Sequence, residues 1–414
     1  MNWDFLIKDK DSLCVSTDTR NLPAGCVFFA LHGERFDGNK FALQALEQGA
    51  SLAVIDDPEV YLQGAADRPR LLLVEDTLLA LQELARAWRR ELGLPIIGIT
   101  GTNGKTTTKE LLATVLSTKY NLHYTQGNLN NQIGVPLTLL QVTRAHEMAI
   151  VEMGASHPGD IKELVDIAEP NYGLITNVGR AHLEGFGSFE GVQRTKQELY
   201  DYLLAHNGTI FRNADNPFLA QMQNHATQLL HNSTQLLHNS TQLYTTGTMP
   251  SGTHLVGEYN AENVSAAICV GEYFGIPSEQ ALEAIRQYVP TNNRSQALQT
   301  ACNQLIVDAY NANPTSMQAA INAFKGDSYI LGAMRELGDY SHLEHQNIVN
   351  MLAERKADTV FLVGEEYLQT TSPYPVFENV EQLHKYLEDN PIKGKHILLK
   401  GSRSTRMEQL LDVL

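Results

Sequence analysis

The run Ile96-Ile97-Gly98-Ile99-Thr100-Gly101-Thr102-Asn103-Gly104-Lys105-Thr106-Thr107 holds the residue types of a phosphate-binding loop. Glycines let backbone N–H groups converge on phosphate oxygens, and a following helix adds the positive end of its dipole. Lys105 is spaced to reach the β- and γ-phosphates, and the Thr106 hydroxyl to hold Mg²⁺. In the general G-x-x-x-x-G-K-[ST] pattern the first glycine would fall on Ile99, with Gly98 and Gly101 flanking it, so the loop is a variant. The competing reading is an ordinary tight strand-to-helix turn. Further on, AIVEMG ends in Glu152, a carboxylate at the end of an apolar strand, where a cation or a salt bridge must offset its charge. His182, in TNVGRAHLEGFG, is on residue type alone a hydrogen-bonded loop histidine, since Mg²⁺ prefers oxygen.

These residues need elements to hold them. Over residues 1–92, apolar runs such as CVFFAL (26–31) and SLAVIDD (51–57) alternate with helical stretches, among them FALQALEQGA and TLLALQELARAWRREL. Leu-Gly-Leu-Pro at 92–95 stops the last of these and marks a first boundary. Residues 93–289 alternate PIIGIT, EMAIVEMG, DIKELVDIA, YGLITNVG and a helix through Lys196, which predicts a mostly parallel sheet covered on both faces. Residues 290–414 place strands at LIVDAY, SYILGAM, TVFLVG and HILLKG, which predicts a smaller doubly wound domain. The fold class is therefore α/β, in three domains.

At 414 residues, 43% hydrophobic and 19% charged, the chain can bury large cores. Its net charge of −16 repels polyphosphate, which argues against a nucleic-acid partner or an anionic-membrane binder. The start, MNWDFLIKDKD, does not read as a secretory signal, and no apolar run has the length of a membrane span. Cys14, Cys26, Cys269 and Cys302 lack C-x-x-C spacing, so reduced thiols in a cytoplasmic enzyme are expected. A monomer is expected as well. LLHNSTQ occurs twice in tandem (229–235 and 236–242) and reads as a surface loop or short helix.

Seven runs in order, GTNGKTT, NLNNQIGVPLTLL (128–140), VEMGASHPGDI, NVGRAHLEGFGS, GEYNAENVSAA (257–267), DAYNANP (308–314) and KGSRSTRME (400–408), together resemble the Mur ligases over nearly the whole chain. The resemblance is to the branch that joins D-Ala-D-Ala to UDP-MurNAc-tripeptide. It implies a UDP-sugar domain (1–92), a central ATPase (93–289) and a C-terminal Rossmann-like domain (290–414) that closes over the site. It also implies an ATP-dependent amide ligase that works through an acyl phosphate with two Mg²⁺.

Carried over by position, the phosphate loop (Gly101, Thr102, Asn103, Gly104, Lys105, Thr106, Thr107) would bind ATP. Asn263 would contact adenine, Arg294 the γ-phosphate and Asp308 the ribose. Thr106 and Glu152 would ligate the first Mg²⁺, and His182 a second. Lys196 would be carbamylated and hold that second metal, although residue type alone allows a plain exposed helix lysine. Thr17, Asp18, Arg20, Asp37 and Gly38 would hold the UDP-sugar, with Asn130 and Asn131 facing it from the central domain; turn chemistry explains the same residues without a ligand. Tyr310, Asn311 and Asn313 would stand between nucleotide and dipeptide, with Ser402 and Arg403 suited to a carboxylate. Ala333 stands where an aspartate is common in the family, and residues 225–253 are shorter than the usual insertion. A sister ligase, a folylpolyglutamate synthase, and a P-loop kinase or nucleotide switch are the competing activities.

Overall fold

The computed structural model describes residues 1–33, 36–223, 240–291 and 294–414. The apolar runs become three main sheets. The first orders Val15–Ser16, Val27–Phe29, Leu52–Ile55 and Leu71–Leu73, all parallel. The helix Thr77–Leu92 follows it. Asp76 starts this helix by accepting the Leu79 N–H at 2.8 Å, and Gly93 ends it with a left-handed φ of 63°. Its apolar face, Ala80, Leu81, Leu84, Ala85 and Trp88, has the spacing of one helical stripe. That stripe packs in one buried cluster with Val27 and Phe29 on one side and with Val135, Leu139 and Leu164 on the other, so the core runs on past residue 92.

The central sheet orders Ser240–Tyr244, Thr209–Asn213, Tyr172–Ile175, Ile96–Thr100, Met148–Glu152 and Leu122–Tyr124, every pair parallel. Its middle strands are buried on both faces, as their unbroken apolar sequence demands. Ile97 and Ile99 pack under Lys105–Leu116 and Asn260–Tyr273, while Ile96 packs with Asp160–Ala168 and Phe189–Ala205 on the opposite face. Part of the tandem repeat corrects the expectation of a loop or helix. Ser240–Tyr244 is an edge strand, its Ser240 Oγ 2.7 Å from Thr209 Oγ1, because small β-favouring residues can pair with the exposed edge of Thr209–Asn213. The rest of the repeat, residues 229–239, lies outside the described residues.

The third sheet orders Gln296–Gln299, Gln304–Asp308, His396–Lys400, Ser328–Gly332, Thr359–Val363 and Val376–Phe377. It is parallel apart from the first pair, an antiparallel edge that the doubly wound expectation lacked. The four residues between those two strands are too few for a parallel crossover. Separate apolar cores cover its two faces. No helix among the described residues is long and apolar enough to cross a membrane.

Candidate active site

The carboxyl ends of Ile96–Thr100, Met148–Glu152 and Gln304–Asp308 open on one cleft of about 750 Å³, the position at which open α/β sheets bind ligands. Thr102–Thr107, Asn130, Asn131, Glu152, His182, Asn263, Arg294, Asp308, Tyr310 and Asn311 all line it. The structure thus brings together residues that the sequence separates by up to 209 positions (311 minus 102).

The loop is held in shape from outside. Gly101 has φ 143°, and a Cβ there would stand 2.0 Å from Thr176 Oγ1; Gly104 has φ 78°, and a Cβ there would stand 2.5 Å from Asn263 Oδ1. Both positions therefore exclude side chains for conformational and steric reasons together. The Thr102 N–H donates to Asn177 O at 3.0 Å and the Asn103 N–H to Asn177 Oδ1 at 3.0 Å. Thr176 Oγ1 and Asn177 Nδ2 donate to Asn103 O at 2.6 and 3.1 Å. Thr176 and Asn177 brace the loop, a contribution that sequence reasoning missed; the available signal was their place at the end of the strand beside the loop strand. Lys105 Nζ donates to Gly101 O at 2.7 Å and Thr102 O at 3.2 Å. Burial lowers the Lys105 pKa, against the opposing pull of Glu152. Asn263 is committed to bracing: Oδ1 accepts from Thr108 Oγ1 at 3.0 Å, and Nδ2 donates to Asn260 Oδ1 at 2.9 Å.

Glu152 is 2% exposed. Its Oε1 accepts from Asn130 Nδ2 at 2.8 Å, and its buried Oε2 has no hydrogen-bond partner among the described residues. Asn131 Oδ1 accepts the Gly134 N–H at 2.9 Å, at the start of the helix Gly134–Leu140. His182 adopts a left-handed φ of 50°, and its Nδ1 lies against Glu336 Oε2 from the C-terminal domain. That hydrogen bond lowers the Glu336 pKa. Lys196 is not the exposed lysine that residue type allowed: it is 2% exposed, and burial first and Lys105 second drive its pKa well below the lysine range. It is not among the cleft-lining residues.

The C-terminal domain meets the loop directly. Asn313 Nδ2 donates to Asn103 Oδ1 at 2.8 Å, and Asn103 Nδ2 returns a bond to Asn313 Oδ1 at 3.4 Å. Beside them the Arg180 N–H donates to Thr315 Oγ1 at 3.0 Å, and Arg180 pairs with the buried Glu344 at 3.2 Å. Asp308 is ion-paired to Lys400, whose Nζ also donates to Asn311 O at 3.2 Å. The Arg294 guanidinium sits 3.9 Å from the centre of the Tyr310 ring, with Arg403 at 5.5 Å. Ser402 Oγ donates to Ala333 O at 2.7 Å, so that hydroxyl is occupied within the loop that precedes Glu336.

The first-domain residues stand apart from the cleft: Thr17, Asp18, Arg20, Asp37 and Gly38 are not among its lining. Asp18 is paired with Arg20, which holds its carboxyl at about 2. Asp37 Oδ1 accepts the Asn39 N–H at 3.1 Å, and the Gly38 N–H donates to Leu31 O at 2.8 Å.

Three family descriptions match the chain: "Mur ligase family, catalytic domain" over residues 14–89, "Mur ligase middle domain" over 99–271, and "Mur ligase, glutamate ligase domain" over 293–403. The UDP-N-acetylmuramoyl-tripeptide–D-alanyl-D-alanine ligase of Bacillus subtilis is 37% identical, covering 97% of this chain and 92% of the relative. The enzyme of that name from Escherichia coli is 34% identical over 97% and 93%. Among solved structures, MurF from Acinetobacter baumannii superposes with a TM-score of 0.81 at 31% identity, covering 96% of this chain and 92% of that one. MurF ligase from Thermotoga maritima, in complex with ADP, gives 0.82 at 27% identity over 98% of both chains. With its three sheets and its braced phosphate loop, the chain belongs to the Mur ligase family.

Proposed function

We propose that this protein joins D-Ala-D-Ala to UDP-MurNAc-tripeptide at the expense of ATP, giving the UDP-MurNAc-pentapeptide, ADP and phosphate. The observation that carries this reading is a single cleft in which a glycine-built phosphate loop, the half-satisfied buried carboxylate of Glu152 and the polar strand ends of a further domain all meet. A kinase or switch needs only the first of these.

The tripeptide's terminal carboxylate takes the γ-phosphoryl group of ATP, and the dipeptide amine then displaces phosphate from the acyl phosphate. Two anions must touch in the first step, so cationic groups must offset their repulsion. Lys105 is the loop's own cation, and phosphate oxygens can take the place of the carbonyl oxygens to which its Nζ donates. Arg294, its guanidinium over the Tyr310 ring, supplies a second fork at the cleft. The residues fit Mg²⁺. Glu152 Oε2 is a buried oxygen awaiting a partner, and Thr106 offers a buried hydroxyl in the same cleft. Among the described residues no cluster of three acidic, histidine or cysteine groups stands ready for a metal. That suits an ion that keeps water and substrate phosphate as ligands. When bound, Mg²⁺ would neutralise charge on the phosphate oxygens.

For a second Mg²⁺, His182 would use Nε2, since Nδ1 is held by Glu336. Burial of Lys196 disfavours its charged form, and the uncharged amine adds CO₂ to give a carbamate with loss of one proton. The nearby carboxylates are already engaged: Asp160 accepts the Ser156 and His157 N–H groups at 2.8 Å each, and Glu198 accepts those of Gly159 and Lys162 at 3.1 and 2.7 Å. The carbamate would add an oxygen donor to those two carboxylates.

Residues 1–92 would hold the UDP-sugar through Thr17, Asp18, Arg20, Asp37 and Gly38, residues 93–289 the ATP, and residues 290–414 the dipeptide through Tyr310, Asn311, Asn313, Ser402 and Arg403. Asn263 would border adenine and Asp308 the ribose, while Asn130 and Asn131 would border the sugar. The enzyme would act as a monomer in the cytoplasm, a compartment that suits its four free cysteines. The test is ADP release with UDP-MurNAc-tripeptide and D-Ala-D-Ala, with the product followed by mass. Release that requires both substrates is expected, and release indifferent to the dipeptide would overturn the reading.

A further inference from the structure

The helix that follows the phosphate loop buries a second lysine that the mechanism above does not use. Lys109 is 0% exposed. Taking an ammonium out of water is costly unless hydrogen bonds replace the lost solvation. Its acidic neighbour Glu110, at 3.0 Å, is adjacent in the chain and only partly buried, so that pair could form equally well at the surface. The bond that needs burial is the other one: Lys109 Nζ donates to Thr125 O at 2.6 Å, with the Tyr124 ring centre 5.5 Å away.

Thr125 is itself fully buried and stands at a junction. Its Oγ1 accepts the Glu152 N–H at 3.0 Å, and its N–H donates to Ile150 O at 3.0 Å. From it runs the loop 125–131 to Asn130, whose O accepts the Gly154 N–H at 2.7 Å and whose Nδ2 donates to Glu152 Oε1 at 2.8 Å. Lys109 and Thr106 are three residues apart on one helix, so both project from the same side. A chain of bonds therefore links the helix bearing Thr106, through Lys109 and Thr125, to both the backbone and the carboxylate of Glu152.

We propose that Lys109 is a positioning residue for the cation held between Thr106 and Glu152: its buried ammonium fastens the strand end and loop that aim Glu152 to the helix that carries the phosphate loop. This rests on the Mg²⁺ reading above. Lys109 lies outside the cleft lining, so it acts only through Thr125 and Glu152.

The test is calorimetric titration of ADP into the full-length protein at a series of Mg²⁺ concentrations. Lys109→Met keeps the apolar stem and removes the donor. ADP affinity without Mg²⁺ is expected to stay unchanged, while the Mg²⁺ concentration that half-tightens ADP rises about 10–100-fold, the usual cost of removing a partner behind a metal ligand. Lys109→Arg should recover part of the loss. Thr125→Val, which removes only the acceptor of the Glu152 N–H, should shift the midpoint in the same direction by less. If Lys109→Met does not fold, these last two variants decide.

A wild-type Mg²⁺ midpoint in the variants overturns the proposal. So does an equal loss of ADP affinity with and without Mg²⁺, which marks a merely structural lysine. Should the unaltered protein bind ADP without any Mg²⁺ effect, the metal reading itself fails and this inference falls with it.

Discussion

The phosphate loop and the first-domain turns are both rich in Gly, Asn, Asp and Thr, yet the fold treats them differently. Around Gly101–Lys105 the bracing comes from residues more than seventy positions away, Thr176 and Asn177, and from Asn263. Around Ser16–Arg20 the polar bonds run between residues two apart, Ser16 with Asp18 and Asp18 with Arg20, while Asp37–Asn39 joins Asp37 to Asn39 and also reaches Leu31 and Asp56. A loop fixed from outside keeps its shape before a ligand arrives, whereas a turn bonded to itself offers groups that a ligand can claim one by one. One region should fail abruptly when altered and the other by degrees.

The largest effect tests the rigid side. Lys105→Ala should lower kcat by at least ~10²–10³-fold in the coupled ADP assay while leaving the circular dichroism spectrum unchanged. Gly101→Ala should abolish ADP binding by calorimetry, since its Cβ would stand 2.0 Å from Thr176 Oγ1. A Gly101→Ala enzyme that turns over normally would break the contrast.

Next, Lys196→Ala should cost roughly 10²-fold in kcat, with partial rescue by added short carboxylates; full activity without rescue would end the carbamate reading. The same lysine has a pH signature. Its folded pKa lies below the unfolded value of about 10.4. The unfolded chain therefore binds the extra proton, and stability rises with pH until that value is passed. In CO₂-free buffer, Lys196→Met should be more stable than the unaltered chain near neutrality, and the gap in urea midpoint should close as pH approaches that value.

On the yielding side, Asp18→Asn should raise KM for UDP-MurNAc-tripeptide by about 10-fold, the scale of one charge-assisted hydrogen bond, with kcat and ADP affinity unchanged. Because Arg20 holds the Asp18 carboxyl at about 2, the ratio should be the same at pH 5 and pH 8. The smallest effect is expected at the domain contact. Asn103→Ala removes one neutral amide pair, worth about 1 kcal/mol, and should change kcat/KM for the dipeptide only a few-fold.

What was legible in the sequence follows the same division. The phosphate loop, the strand ending in Glu152 and the helix Thr77–Leu92 announce themselves because glycine turns, apolar runs and helical stripes are constraints between near neighbours. The burial of Lys196 was not legible, since it depends on how the helix Phe189–Ala205 lies against Phe186 and the central sheet. Nor were Glu336 against His182, or Asn130 on Glu152, contacts made only when separate strand ends are brought together. Ser240–Tyr244 escaped for a related reason. Polar repeats carry no apolar alternation, and only the waiting edge of the neighbouring strand makes that segment a strand.

The reciprocal carboxamides of Asn103 and Asn313 carry no net charge. Brine, which weakens exposed ionic contacts, has little hold on such a clasp. The neighbouring Arg180–Glu344 contact is ionic and half in solvent, so it alone would loosen as ionic strength climbs. Two fastenings side by side, one deaf to electrolyte and one attentive to it, let this contact between domains soften in concentrated salt while the stitch on the phosphate loop stays tied.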